Sequence, residues 1–122
     1  MTDRQQQNAQ RLYAMPFAKL YPALLAKLER KGRSRAELDA AIRWLTGHSD
    51  TSLAAALEAG TPTGEFFTQA PAPNPARLAI TGTVCGVRVE EVEDPVMREV
   101  RYLDKLVDEL AKGWAMERVL RR

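Results

Sequence analysis

The sequence predicts a mainly α-helical protein: a compact orthogonal helical bundle with a long C-terminal helix. Two observations support this class. Apolar residues recur at alternating spacings of four and three along residues 96–110, as on one face of a helix. Elsewhere, Ser, Asp, Gly and Pro stand at the positions where helices commonly begin and end. The exception is a short extended segment or hairpin near residues 78–92.

Length and composition are those of one soluble domain. The chain has 122 residues, 45% of them hydrophobic and 28% charged, which suffices for a core of its own. The net charge of +2 is too small to indicate a polyanionic partner. Cys85 is the only cysteine, which excludes a disulfide within the chain, and the apolar run at residues 78–87 is too short to span a membrane. We therefore expect a cytoplasmic protein without membrane contact.

The N-terminal part of the chain predicts a flexible arm followed by helix. Residues 1–11 are polar and lack apolar periodicity, so the single helical domain is expected to comprise residues 12–122. Pro22 is unfavourable inside a helix. The helix is therefore predicted either to begin there, with residues 17–20 as a separate turn, or to be kinked at Pro22, and the first is preferred. Its expected end is Gly32.

The next helices have clearer boundaries. Ser34 and Glu37 form a capping box, which predicts a helix over residues 35–46 that ends at Gly47. An alanine-rich helix is expected over residues 51–59. A short helical turn after it would carry two phenylalanines into the core, Phe66 and Phe67.

Residues 74–94 favour two structures. Residues 69–75 form a stiff, proline-rich connector, after which Asn74 and Pro75 can begin a helix. The sequence that follows fits a helix to about Gly86 and then an extended segment at residues 87–89. Its β-branched residues fit a hairpin instead. The helix is the preferred prediction, and the hairpin stays open.

The long C-terminal helix is predicted over residues 95–112. Carboxylates precede Pro95, where a helix N-terminus favours negative charge, and Gly113 ends the helix. A short helix should follow. The apolar seam of the long helix is longer than one small core needs, so we expect it to form a homodimer interface through Val96, Val100, Leu103, Val107, Leu110 and Trp114.

Several motifs together carry a resemblance to a known family. They are WLTG at residues 44–47, the Phe66-Phe67 pair, AP and NP within residues 70–75, ITGTVCGVRVEEVEDP, and RYLDKLVDELAKG with ME downstream. This combination, which extends from Leu12 to Arg122, resembles bacterial domain-of-unknown-function family 2200. The resemblance implies a compact, mainly helical fold. It brings no activity, ligand or catalytic residue.

The residues that commonly carry chemistry have simpler explanations here. Cys85 lies among apolar and small residues, which predicts a buried, inert thiol. His48 is the only histidine, which excludes a multi-histidine zinc site, and it is expected to be a capping or surface group. The glycines of TGTVCG lack the Lys-Ser/Thr of a P-loop, and the carboxylates at residues 90–94 match no calcium loop. No metal or cofactor is predicted.

The sequence also argues against sequence-specific DNA binding. The second helix of a helix-turn-helix would be residues 51–59, which contain no Arg, Lys, Asn or Gln to read bases. A basic cluster within residues 27–43 is expected to be a solvated face, with nonspecific nucleic-acid contact as a weaker alternative. Its members are Lys27, Arg30, Lys31, Arg33, Arg35 and Arg43.

These observations favour a small binding or protein-interaction module, homodimeric through the seam, over an enzyme. The alternative is a small-ligand binder or enzyme with a pocket near residues 77–102. The side chains expected to converge there are Arg77, Arg88, Glu90, Glu91, Arg101 and Tyr102.

Overall fold

A computed structural model of the chain describes residues 3–122. Over these residues it contains seven α-helices, two short 3₁₀ helices and one hairpin, so the predicted mainly helical fold is confirmed. The α-helices are α1 Asp3–Ala14, α2 Phe17–Glu29, α3 Arg35–Thr46, α4 Asp50–Glu58, α5 Thr63–Thr68, α6 Pro95–Ala111 and α7 Met116–Val119. The strands are β1 Thr83–Val84 and β2 Val87–Arg88, and the 3₁₀ helices are Pro75–Ala79 and Val89–Glu91.

The long helix α6 is the centre of the fold. It packs against α2, α3 and α5, against α7, and against the hairpin and the second 3₁₀ helix. Its seam faces inwards: Val100, Leu103, Val107 and Leu110 are all at most 3% exposed. The seam is therefore covered by the chain's own elements. In the part of the chain that the structure describes, no helix combines the length and apolar character needed to cross a membrane.

Local capping places the helices largely as the sequence predicts. The Ser34 and Glu37 capping box is present, and Gly47 ends α3 with a φ of 78°. Asp94 accepts hydrogen bonds from the backbone N–H groups of Val96 and Met97 at 2.9 and 3.2 Å, which starts α6. These bonds connect residues two or three apart, which is why sequence alone locates them.

The N-terminal segment differs from the expectation of an arm without regular structure. Helix α1 begins at Asp3 and its C-terminal end packs on α5, where Tyr13 lies against Gly64. The expectation that this segment lacks regular structure is therefore wrong for residues 3–11. Residues 1 and 2 lie outside the described residues. The division into a flexible arm and one domain stays a prediction.

Helix α2 also differs from its prediction, because it runs through Pro22 without interruption from Phe17. Proline removes one backbone hydrogen bond from a helix interior. Pro22 lies on the exposed side, where water can satisfy the freed carbonyl, while Phe17 and Tyr21 are buried on the other side. Burial of these aromatic residues before Pro22, and of Leu24 and Leu28 after it, keeps both parts of the helix in place.

The segment that favoured two structures forms the hairpin, so the preferred helix to Gly86 is wrong. Asn74 caps only the short 3₁₀ helix that ends at Ala79. Val84 then pairs with Val87 across a two-residue turn. Both turn residues, Cys85 and Gly86, have positive φ, of 53° and 76°, as a type I′ turn requires. Burial of Val84 fixes the hairpin against α6.

Candidate functional site

A cleft of about 620 Å³ lies between α1 and the start of α6. Its first wall is α1, its second is β2 with the segment leading into α6, and its base is the first two turns of α6. The apolar part of the lining is Ala9, Leu12, Val87, Val92 and Met97. The polar part is Gln5, Asn8, Glu91, Glu93, Asp94 and Arg101. Small-molecule sites commonly have about 300–1,000 Å³ and this mixture of apolar walls with few polar groups.

The three carboxylates of the lining differ in how strongly they are already engaged. Asp94 holds the N-terminus of α6 through two backbone hydrogen bonds. Glu91 lies 3.8 Å from Arg88, in an ion pair of which both side chains are more than 60% exposed. Such exposed pairs contribute little. Glu93 is exposed, and its carboxylate makes no hydrogen bond or ion pair with the described residues.

The single cation among the described lining residues, Arg101, is already neutralised. Its guanidinium donates to the carboxylate of Asp104 at 2.9 Å. Burial raises the pKa of Asp104, against the opposing effect of Arg101. The electrostatic potential of the cleft is therefore set by its carboxylates, and the cleft favours a cation.

Tyr13 lies behind the cleft and is not a proton acceptor near neutral pH. Burial raises the pKa of its phenol to about 12, and the neighbouring Asp94 carboxylate adds to the shift. The phenol therefore stays protonated at neutral pH. Its buried hydroxyl oxygen has no hydrogen-bond partner among the described residues.

The structure brings together only some of the six side chains expected to converge. Glu91 and Arg101 line the cleft, whereas Arg88 and Glu90 form an exposed pair on the neighbouring hairpin. The Glu90 carboxylate also accepts from its own backbone N–H and, at 3.0 Å, from the backbone N–H of Gly82, and these two hydrogen bonds lower its pKa. The position of Glu90 is therefore explained by these structural contacts.

The remaining two expected residues lie apart from the cleft lining. Arg77 is bound to Glu99 through its Nε at 2.8 Å, and Tyr102 is only 4% exposed. Both residues stabilise the contact of α6 with its neighbours. A sequence window cannot separate such residues from those of a cleft, because all of them lie on the same two segments.

Cys85 and His48 occupy positions of opposite kinds. Cys85 is exposed at the hairpin turn, so the expected buried thiol is wrong: a two-residue turn projects into solvent. His48 is partly buried, as its ring stacks on Phe66 at 4.8 Å and its Nδ1 lies 2.8 Å from the Ser52 hydroxyl. Burial lowers the pKa of His48.

The basic cluster is divided among structural contacts. Arg33 donates to the carbonyls of Leu110 and Trp114 at 3.3 and 2.9 Å and also pairs with Glu37, so it closes the C-terminal end of α6. Arg43 pairs with Asp50, and Lys27 with Asp108. Three of the six residues of the basic cluster are therefore engaged in contacts within the chain, so the cluster is not a continuous set of free cations.

The sequence missed the contribution of α1 to the cleft. Asn8 and Leu12 gave no signal, because a polar helix with few apolar residues resembles a solvated arm. Glu93 and Asp94 were noticed only as a helix start. Among the described residues, no group of three or more His, Cys, Asp or Glu side chains is arranged to hold a metal ion.

Comparisons with known proteins agree with this fold. The crystal structure of the uncharacterized protein SP1917 superposes with a TM-score of 0.87 and 50% sequence identity, and the match covers 92% of each chain. No curated protein matches the chain. A family model described as an uncharacterized protein conserved in bacteria, DUF2200, matches residues 11–121. The resemblance inferred from the motifs is thereby confirmed, and the chain belongs to the DUF2200 family.

Proposed function

We propose that the protein is a small binding module whose site is the cleft between α1 and the start of α6. The proposed ligand is a small organic cation with an apolar group beside its charge. The observation that carries this proposal is the composition of the cleft: apolar walls, three carboxylates, and one guanidinium that Asp104 already neutralises.

Each part of such a ligand has a defined counterpart. The apolar group would lie against Leu12, Val92 and Met97, which bind through removal of apolar surface from water. The charge would lie near Glu93, whose carboxylate has no partner among the described residues. An anionic ligand of the same shape would meet uncompensated negative charge.

A matched pair of probes tests this proposal. Phenethylamine and phenylacetate share the aromatic ring and differ in the sign of their charge. In amide-resolved NMR titrations, phenethylamine should shift the resonances of residues 87–97 and of α1 in a saturable way, and phenylacetate should not. Equal shifts with both probes, or shifts confined to another surface, would contradict the proposed site.

A single substitution then locates the charge. Glu93→Gln should raise the dissociation constant for phenethylamine roughly two- to five-fold, as expected for an exposed ion pair. Glu58→Gln, at an exposed position on α4, is the matched control and should leave it unchanged. An equal effect of both substitutions would show general charge attraction rather than a site.

The second candidate function is a protein-interaction module that forms a homodimer. It is supported by Leu78, a large apolar side chain that is 65% exposed, although one exposed leucine is common in soluble proteins. The predicted seam would contribute little, since four of its six residues lie in the chain's own core. Light scattering behind size exclusion at high micromolar concentration tests the dimer, and Leu78→Ser should dissociate it.

A cytoplasmic location belongs to the same proposal. It is supported by Cys85, a thiol exposed on a hairpin turn, which in an oxidising compartment would form disulfides between molecules. Separation of cell fractions with a tagged chain tests the location.

A further inference from the structure

Asp94 uses one of its carboxylate oxygens to begin α6 and leaves the other without a bond. The backbone N–H groups of Val96 and Met97 both donate to Oδ1, at 2.9 and 3.2 Å. Asp94 is half-buried and lines the cleft. Its Oδ2 accepts no hydrogen bond from the described residues, so this oxygen is the one that a ligand in the cleft can use.

The negative charge of Asp94 is partly offset, because its carboxylate lies at a helix N-terminus. The backbone dipoles there are equivalent to about half a positive elementary charge. Glu91 and Glu93 also line the cleft, but they are exposed and lie outside α6. The two glutamates should therefore supply most of the attraction for a positive charge, whereas Asp94 supplies a directed hydrogen-bond acceptor.

The described lining of the cleft contains no aromatic ring. This composition matters because a fully alkylated ammonium ion has no N–H, and proteins commonly bind such ions over the faces of aromatic rings. The cleft offers oxygen acceptors instead, namely its carboxylates and the amide oxygen of Asn8 on α1. These acceptors favour a cation with N–H groups, since charge-assisted hydrogen bonds are about twice as strong as neutral ones.

We propose that Asp94 makes the cleft selective for organic cations that carry an N–H, which are protonated amines, over quaternary ammonium ions. An N–H of the ligand donates to Oδ2 of Asp94, while the charge lies near Glu93 and the apolar group lies against Met97. A methyl group in place of the N–H would remove water from Oδ2 and give no bond in return. This inference rests on the proposed function, because it narrows the ligand class of the same site.

Probes that share a ring, a linker and a charge test the selectivity. They are phenethylamine, its N,N-dimethyl derivative and its N,N,N-trimethyl derivative. The first two are protonated near neutral pH and carry an N–H, whereas the trimethyl probe has none. In amide-resolved NMR titrations of the full chain, the first two should bind with similar affinity. The trimethyl probe should bind about ten-fold more weakly, as expected for the loss of a charge-assisted hydrogen bond.

The dimethyl probe separates hydrogen bonding from size, because it differs from the trimethyl probe by a single methyl group. A gradual loss of affinity with each added methyl group would show a size limit, and equal affinity of all the probes would show charge attraction alone. Either result would overturn the selectivity and would leave the proposed binding of organic cations in place. Absence of binding by every probe would reject the proposed function, and the selectivity with it.

The substitution Asp94→Asn tests the role of the Oδ2 atom. Asparagine caps helices about as well as aspartate, so its amide oxygen can keep the bonds to Val96 and Met97. The amide nitrogen that replaces Oδ2 donates and cannot accept. The variant should therefore lose most of the difference in affinity between the dimethyl and trimethyl probes.

Asp50→Asn is the matched control, since it makes the same change in the first turn of α4, outside the cleft lining. It should keep the full difference between the two probes. A difference that is also kept in Asp94→Asn would overturn the role of Asp94. If the amide spectrum showed that Asp94→Asn does not fold, the probes in the unsubstituted protein would still decide the selectivity.

Discussion

Helix α6 connects two regions that are built in opposite ways. At its C-terminal end is the closed corner, formed by residues 33–46 and 106–122, where charged groups are buried and paired. At its N-terminal end is the open rim, formed by residues 3–14 and 82–101, where α1 and the hairpin border a cleft. One helix therefore joins a rigid region to an adaptable one. The difference suggests that stability is concentrated at one end, which leaves the other end free to bind.

The closed corner depends on a buried ion pair. Glu109 is 1% exposed, and Arg121 holds it with two guanidinium nitrogens, of which Nη2 lies 2.9 Å from a carboxylate oxygen. Arg121 has a φ of 53°, so the chain adopts a costly left-handed conformation to make this contact.

The largest predicted effect therefore comes from Arg121→Ala. It leaves a buried carboxylate without its partner and should lower the free energy of unfolding by about 3–5 kcal/mol, measured by chemical denaturation. Arg122→Ala, at the exposed neighbouring residue, should change it by less than about 0.5 kcal/mol. If the two substitutions had equal effects, the closed corner would not be the more strongly built region.

The hairpin turn of the open rim should respond to two substitutions in opposite directions. Gly86→Ala should destabilise the protein by about 1 kcal/mol: no atom lies within 4 Å of the added Cβ, so the cost comes from the positive φ alone. Cys85→Asn should stabilise it by a few tenths of a kcal/mol, since Asn-Gly is the preferred type I′ pair. Thermal unfolding measures both. The same sign for both substitutions would contradict a type I′ turn.

A smaller effect is expected from His48, which is not among the residues that line the cleft. Because burial lowers its pKa below the ordinary value of 6.5, the unfolded chain binds a proton more readily than the folded chain. Stability should therefore be complete above pH 6.5 and fall as the pH decreases below that value towards the folded pKa.

Unfolding free energies measured across this range provide the test. His48→Phe, which retains the stacking on Phe66, should remove the pH dependence. A pH dependence that persists in this variant would belong to another group. The half-buried Asp104 has a raised pKa and gives the opposite sign, because stability rises as the pH falls through that pKa.

The sequence predicts those features of the fold that depend on residues close together in the chain. The Ser34 capping box, the Gly47 stop and the Asp94 cap all depend on hydrogen bonds between residues a few positions apart. The inward face of α6 follows from its periodicity, whereas the homodimer expected through that face stays a prediction. Periodicity indicates that a helix face is buried, but it does not indicate which element or which chain covers that face.

The rest of the fold depends on contacts that are distant in sequence. The hairpin is only the second alternative from sequence, because propensity does not show that burial of Val84 against α6 outweighs a helix. The cleft joins Asn8 to Glu93, and neither residue has a neighbour in sequence that marks it. Helix α1 was missed because Thr63, 48 positions from Met15, anchors it. The sequence thus predicted only two of the residues that line the candidate site.

The exposed position of Cys85 has a practical consequence. The only thiol of the chain projects from the hairpin turn, two residues before Val87 in the wall of the cleft. An environment-sensitive fluorophore attached there would report on the cleft without any engineered residue. The protein thus carries its own attachment point for a binding sensor, and a compound library could be screened against it by fluorescence alone.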